Sequence, residues 1–133
     1  MTLLLDTHVW FWSLESPDKL GRRCRALLED PSHELAVATI STVELGQLQA
    51  FGRLSFAGTL ESWVRRGCGS LELRTVELTH AVALLAYGLP GTFHRDPADR
   101  ILVASAIHHG YTLVTADERI LAYSHVMTLD ARK

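Results

Sequence analysis

Three short apolar runs recur along this chain: "LLL" (3–5), "LAVA" (35–38) and "TLVT" (112–115). Each gives way at once to a segment patterned as a helix. Strand-length runs separated by helices need crossover connections, so the strands pair in parallel and helices cover both faces. "LELRTV" (71–76) alternates in polarity as a strand does, and "VMTL" (126–129) reads as a last edge strand. The expected architecture is a three-layer α/β/α sandwich around a central, mainly parallel sheet of about four or five strands.

The helices carry their own punctuation. "HVWFWSL" (8–14) suits a short helix, and "SPDKLGRRCRALLED" (16–30) a second, with Ser16 as cap and Pro17 at its first position. "STVELGQLQAF" (41–51) opens with Ser41 and Glu44 in capping-box spacing. Residues 58–66 form a helix stopped by "GCG", and "LTHAVALLAYG" (78–88) another. "DPADRILVASAIHHG" (96–110) has Asp before Pro at its start and Gly at its stop. A short helix follows from Asp117. No repeat, linker or low-complexity segment interrupts the pattern, so residues 1–133 are expected to form one domain.

Composition removes several classes. With 47% hydrophobic residues the chain has the means to build a core. No apolar stretch approaches the roughly 20 residues that cross a bilayer, and no basic segment precedes the leucines, which argues against a signal peptide. Cys24 and Cys68 stand far apart and out of metal spacing, and read as free thiols in a reducing cytoplasm. A net charge of −2 argues against a protein that coats nucleic acid electrostatically. The basic residues are nonetheless skewed, with eleven Arg against two Lys. Guanidinium forks suit phosphate, although solvated helix faces and ion pairs account for most single arginines.

The acids are more telling. Asp6 follows the first strand and Asp117 the strand "TLVT". Glu44 lies at the start of the helix after "LAVA", and Asp96 and Asp99 at the start of the "DPADR" helix. In a parallel sheet, strand ends and helix starts meet at one edge, where ligands bind. Each acid alone is explained by capping or by a helix dipole. Together, with no internal cation expected among them, they repel: two such charges about 4 Å apart at an effective dielectric near 20 do so by roughly 4 kcal/mol. A divalent cation removes that repulsion. All-oxygen ligands without Cys or paired His indicate Mg²⁺ or Mn²⁺ rather than zinc.

"LLLDTHVWFW", "STVELGQL", "DPADRILVASAIHHG" and "TLVTADERI" resemble, in order and spacing, the successive motifs of the PIN-domain family, and specifically its VapC-type toxins of bacterial toxin–antitoxin pairs. The resemblance implies a PIN-like fold and a metal-dependent endoribonuclease that leaves a 5′-phosphate and a 3′-hydroxyl. It also implies an RNA substrate and inhibition by a small antitoxin protein. Carried over by motif, Asp6, Glu44, Asp99 and Asp117 are the catalytic, metal-holding acids. Asp96 ranks below Asp99 because an N-cap role accounts for it. Thr7 and Thr115 are placed to orient a carboxylate or a bound water. Arg100 is within reach of a phosphate or of a structural ion pair. His8, His94 and Glu118 flank the acids without an assigned role.

Four large apolar residues in "VWFW" cannot all face one core from a one-sided helix. Trp10, Phe11 and Trp12 are therefore candidates for the antitoxin contact, with a basic side chain of the partner reaching toward the acids. A homodimer is the expected assembly, and no membrane association is expected. Two alternatives stand beside the nuclease. One is a PIN-fold binding module with slight nuclease activity. The other is a haloacid-dehalogenase-type phosphatase, against which "DTHVW" has His8 where the second Asp of that motif belongs.

Overall fold

The computed structural model describes residues 1–133. The chain runs β1 (Thr2–Leu5), α1 (Thr7–Glu15), a 3₁₀ turn (Pro17–Lys19), α2 (Arg22–Glu29), β2 (Glu34–Ala38), α3 (Thr39–Ala50) and α4 (Leu60–Ser70). It continues with β3 (Arg74–Val76), α5 (His80–Ala86), α6 (Pro97–His109), β4 (Thr112–Thr115), α7 (Glu118–Leu121) and β5 (Thr128–Asp130). The five strands form one sheet in the order β3-β2-β1-β4-β5, every pair parallel. The α/β/α expectation is met, with the sheet wholly parallel and "VMTL" giving rise to an edge strand that starts two residues later than expected.

β1 shows why its leucines are needed. Side chains alternate across a strand, so Leu3 and Leu5 face one layer and Leu4 the other. All three are fully buried. On the first side they meet Val9, Trp10 and Phe11 of α1, Cys24 of α2 and Trp63 of α4. On the second, Leu4 joins Val82 and Ala86 of α5 and Leu102, Val103 and Ala106 of α6.

The "VWFW" expectation is corrected here. Trp10 is 0% exposed and Phe11 7%, because α4 lies over α1 and covers the face that an isolated surface helix would leave wet. Trp63 packs edge-on to Trp10 at 5.0 Å and stacks on Phe11 at 5.7 Å. Gly67 makes that approach possible: a Cβ there would stand 3.1 Å from Trp10 Nε1. The two residues therefore belong to the core and not to a partner contact. Trp12 alone of the three remains partly exposed. The same packing explains why α4 runs on through "GCG", where tertiary contact outweighs the low helix propensity of glycine.

Other boundaries differ too: β3 and α5 are shorter than the expected 71–76 and 78–88, and two further differences concern where a helix starts. Residues 16–30 do not form a continuous helix but break at Gly21, whose N–H donates to Ala131 O at 2.9 Å. A Cβ at Gly21 would fall 2.3 Å from the Lys133 backbone, so only glycine admits the C-terminal segment there. α3 begins at Thr39, two residues before the expected Ser41, with Ala38 as its cap position and no side-chain capping bond. The Ser41–Glu44 capping box is thus absent, and Glu44 lies in the second turn. Both cysteines are free thiols. No helix is long and apolar enough to cross a membrane.

Candidate active site

All five acids line one cleft at the carboxyl ends of β1 and β4. Asp6 and Asp117 arrive directly from those strands, Glu44 from α3, and Asp96 and Asp99 from the first turn of α6. One carboxylate oxygen each of Glu44, Asp96 and Asp99 lie within 4.8 Å of one another, the tightest grouping in the cleft. Asp96 stands at the N-cap position of α6 yet makes no side-chain capping bond. The capping explanation that ranked it below Asp99 is therefore corrected, and its carboxylate is free for the cleft.

Asp6 and Asp117 are already engaged. Asp6 Oδ1 accepts from Thr7 N at 2.7 Å and Oδ2 from Thr115 Oγ1 at 2.6 Å. Asp117 Oδ1 caps α7, accepting from Arg119 N at 2.8 Å and Ile120 N at 3.4 Å. The threonines hold carboxylates, as the sequence suggested. Thr7 Oγ1 donates to Glu44 Oε1 at 2.6 Å and shares a hydrogen bond of 2.9 Å with Ser41 Oγ. Thr115 Oγ1 also accepts from Asp117 N at 3.0 Å. Hence two hydroxyls orient two of the acids and tie a third to the end of β4.

Burial sets the charge state. Desolvation pushes the Asp99 carboxyl up to about 8, with Asp96, Asp6, Glu44 and Asp117 adding their repulsion. Desolvation also raises Asp6 and Glu44 above the usual carboxylate range, against the hydrogen bonds from Thr115 and Thr7 respectively. Asp117 goes the other way: desolvation works to raise it, but hydrogen bonds from the Arg119 side chain and backbone outweigh that and hold it low.

Two basic groups stand against Asp99. His94 Nε2 stands 3.1 Å from Asp99 Oδ2, without the alignment of a hydrogen bond. Its Nδ1 accepts from Asp96 N at 3.3 Å, which places the ring hydrogen on Nε2, toward Asp99. Desolvation and the nearby Arg119 charge hold His94 below its ordinary value. Arg119 Nη2 lies 3.2 Å from Asp117 Oδ2 and 3.6 Å from Asp99 Oδ2. The expectation that the acids converge without an internal cation is therefore corrected. The only signal of Arg119 in the sequence is its place two residues after Asp117, which does not separate it from an ordinary solvated helix residue.

Arg100 does not serve the cleft. Its Nε donates to Ala86 O at 2.7 Å, and Nη1 donates to Phe93 O at 3.0 Å and His94 O at 3.1 Å. It neither faces a phosphate site nor makes an ion pair; it fastens the loop that carries His94. His8 and Trp12 line the cleft, their rings 5.8 Å apart. Glu118 turns away to Arg132 at 2.6 Å.

A parallel sheet whose strand ends gather carboxylates into one cleft defines a class of α/β protein with an acidic strand-end site. The chain belongs to the PIN-domain family, whose model matches residues 3–126. It is 40% identical over 124 residues to Ribonuclease VapC22 of Mycobacterium tuberculosis, covering 93% of each chain. Its fold is that of VapBC2 from Rickettsia felis bound to a promoter DNA fragment (TM-score 0.70, 15% identity, 97% of this chain and 98% of that one). It also matches VapBC-1 from nontypeable Haemophilus influenzae (TM-score 0.69, 18% identity, 100% of both). A toxin–antitoxin complex from Klebsiella pneumoniae shares it too (TM-score 0.65, 18% identity, 97% of both). The dehalogenase-type phosphatase alternative falls with this membership.

Proposed function

We propose that this chain is the toxin of a VapBC-type toxin–antitoxin pair, an endoribonuclease that hydrolyses RNA phosphodiester bonds with Mg²⁺ or Mn²⁺ held in its acidic cleft. The observation that carries the reading is the convergence of four carboxylates around a fifth, the buried Asp99. The donor set fits such an ion: Glu44, Asp96 and Asp99 offer only hard oxygen atoms, and Asp99 is buried among four other carboxylates. Glu44, Asp96 and Asp99 would hold the ion, with Asp6 and Asp117 completing the negative field. When bound, it supplies Lewis-acid polarisation of the phosphate and activation of water.

The chain's own residues do the rest. Thr7 and Thr115 fix Glu44 and Asp6 in one orientation each, so the carboxylates need little reorganisation during the reaction. Asp6 and Glu44, raised by burial, are stronger proton acceptors than ordinary carboxylates and are suited to take the proton of the attacking water. The products are a 5′-phosphate and a 3′-hydroxyl. The similarity to a protein named as a ribonuclease supports this activity, and the VapBC neighbours support a small antitoxin as partner. Trp12, partly exposed at the cleft, is the proposed aromatic contact for that partner. A homodimer is proposed as well, for which exposed Val43, Leu84 and Tyr87 offer apolar surface.

The test is RNA cleavage by the purified chain in Mn²⁺ and in EDTA, beside Asp6→Asn. Cleavage that needs the metal and disappears in Asp6→Asn is the expected result. RNA bound but left intact under every condition would favour the binding-module reading.

A further inference from the structure

Among five carboxylates, the cleft is lined by a single Arg or Lys side chain, Arg119. Its guanidinium bonds nothing except those acids. Nη2 reaches Asp117 Oδ2 and Asp99 Oδ2, and Nε lies 3.4 Å from Asp117 Oδ1. Arg132, by contrast, is fully employed by Asp130 and Glu118 away from the cleft, and Arg100 by three carbonyls. We propose that Arg119 is a tethered counter-ion: in the metal-free chain it neutralises Asp117 and lies against Asp99, where it competes with the divalent cation, so that it sets how tightly the metal is held.

Three observations support the competition. First, Arg119 and the tight donor group share Asp99. A cation held by this carboxylate stands beside a guanidinium 3.6 Å from Asp99 Oδ2, and like charges at such range repel. Second, the Arg119 side chain is 61% exposed, so its ion pairs are weak and it is free to leave. Third, it has somewhere to go. A second hollow, lined by Thr92, Phe93, His94, Ala122 and Tyr123, opens on the other side of the same arginine. The sequence contains the swap in compressed form: "ADER" supplies an acid for the site and, two residues later, the cation that occupies it.

The inference rests on the metal-site reading above, and its test separates the two. Mn²⁺ binding is measured by calorimetry on the purified chain and on Arg119→Gln, Arg119→Lys and Arg132→Gln, with thermal melts of each in EDTA and in saturating Mn²⁺. Arg119→Gln is expected to bind Mn²⁺ about fivefold more tightly, the scale of one exposed ion pair. Arg119→Lys should stay near the parent, because it keeps the charge, and Arg132→Gln should match the parent. In EDTA, Arg119→Gln should melt below the parent, and saturating Mn²⁺ should narrow or reverse that gap. A merely structural arginine would leave the gap unchanged. Equal or weaker Mn²⁺ binding by Arg119→Gln, with the parent still binding, would overturn the competition and leave the metal site standing. Absence of Mn²⁺ binding in all four proteins would overturn both.

Discussion

Asp99→Asn tests how the cleft is built. In the metal-free fold Asp99 keeps its proton up to about pH 8, against an ordinary value of 3.8. Between those values the folded chain binds one proton more than the unfolded chain, so stability falls as pH rises. The contribution is whole below pH 4 and lost by the time the pH has passed 8. Each pKa unit corresponds to about 1.36 kcal/mol. From pH 5 to 8, this one group therefore removes roughly 4 kcal/mol from the parent. The amide that replaces the carboxyl in the variant has no proton to lose, and the remaining acids titrate in both proteins. The assay is urea denaturation of parent and variant in EDTA at pH 5, 6, 7 and 8. The parent's stability relative to the variant should decline by about 4 kcal/mol across the series, leaving the variant the more stable at pH 8. Added Mn²⁺ should then favour the parent, since the variant has one charged ligand fewer. Parallel pH profiles for the two proteins would refute the reasoning, because Asp99 would then be ionised in the fold at no penalty.

Four other substitutions follow from the packing and the hydrogen bonds. Trp10→Ala, deep between α1 and α4, should cost about 3–5 kcal/mol by urea denaturation, whereas Trp12→Ala should change stability by under about 1 kcal/mol and weaken antitoxin binding measured by calorimetry. Arg100→Ala unfastens the loop before α6 and leaves three carbonyls without their donor; a loss of about 2 kcal/mol is expected, with faster hydrogen exchange in residues 87–95 as its signature. Thr7→Val removes the hydroxyl that holds Glu44. It should lower the RNA cleavage rate while leaving the far-ultraviolet circular dichroism unchanged.

The layers were legible because burial on both faces of β1, β2 and β4 forces uninterrupted apolar runs, and because Pro97 and Gly110 bracket α6. The five cleft acids were legible because they follow those same elements. What could not be read was set by contacts between distant segments. Trp10 and Phe11 are inside because Gly67, more than fifty residues on, lets α4 close over them. α2 starts late because the C-terminal segment crosses at Gly21. Asp96 looked like a cap, since an Asp-Pro pair before a helix commonly is one, yet its carboxylate makes no such bond. Arg119 was missed for a different reason: an arginine in the first turn of a short helix has no periodicity to mark its direction.

The strand order also governs when this molecule becomes dangerous to its maker. β1 is the middle strand, and its neighbour β4 is synthesised late; Thr115 grips Asp6 across 109 residues of sequence. Pairings so remote in the chain form slowly, and domains complete themselves only as the emerging polypeptide allows. A ribosome that has released the first three-quarters of this chain has exposed Asp6 and Glu44 but has no β4 to dock beside β1 and no Asp117. A nascent chain without β4 therefore lacks a complete acidic cleft, and the proposed nuclease takes shape only after that late crossover has closed.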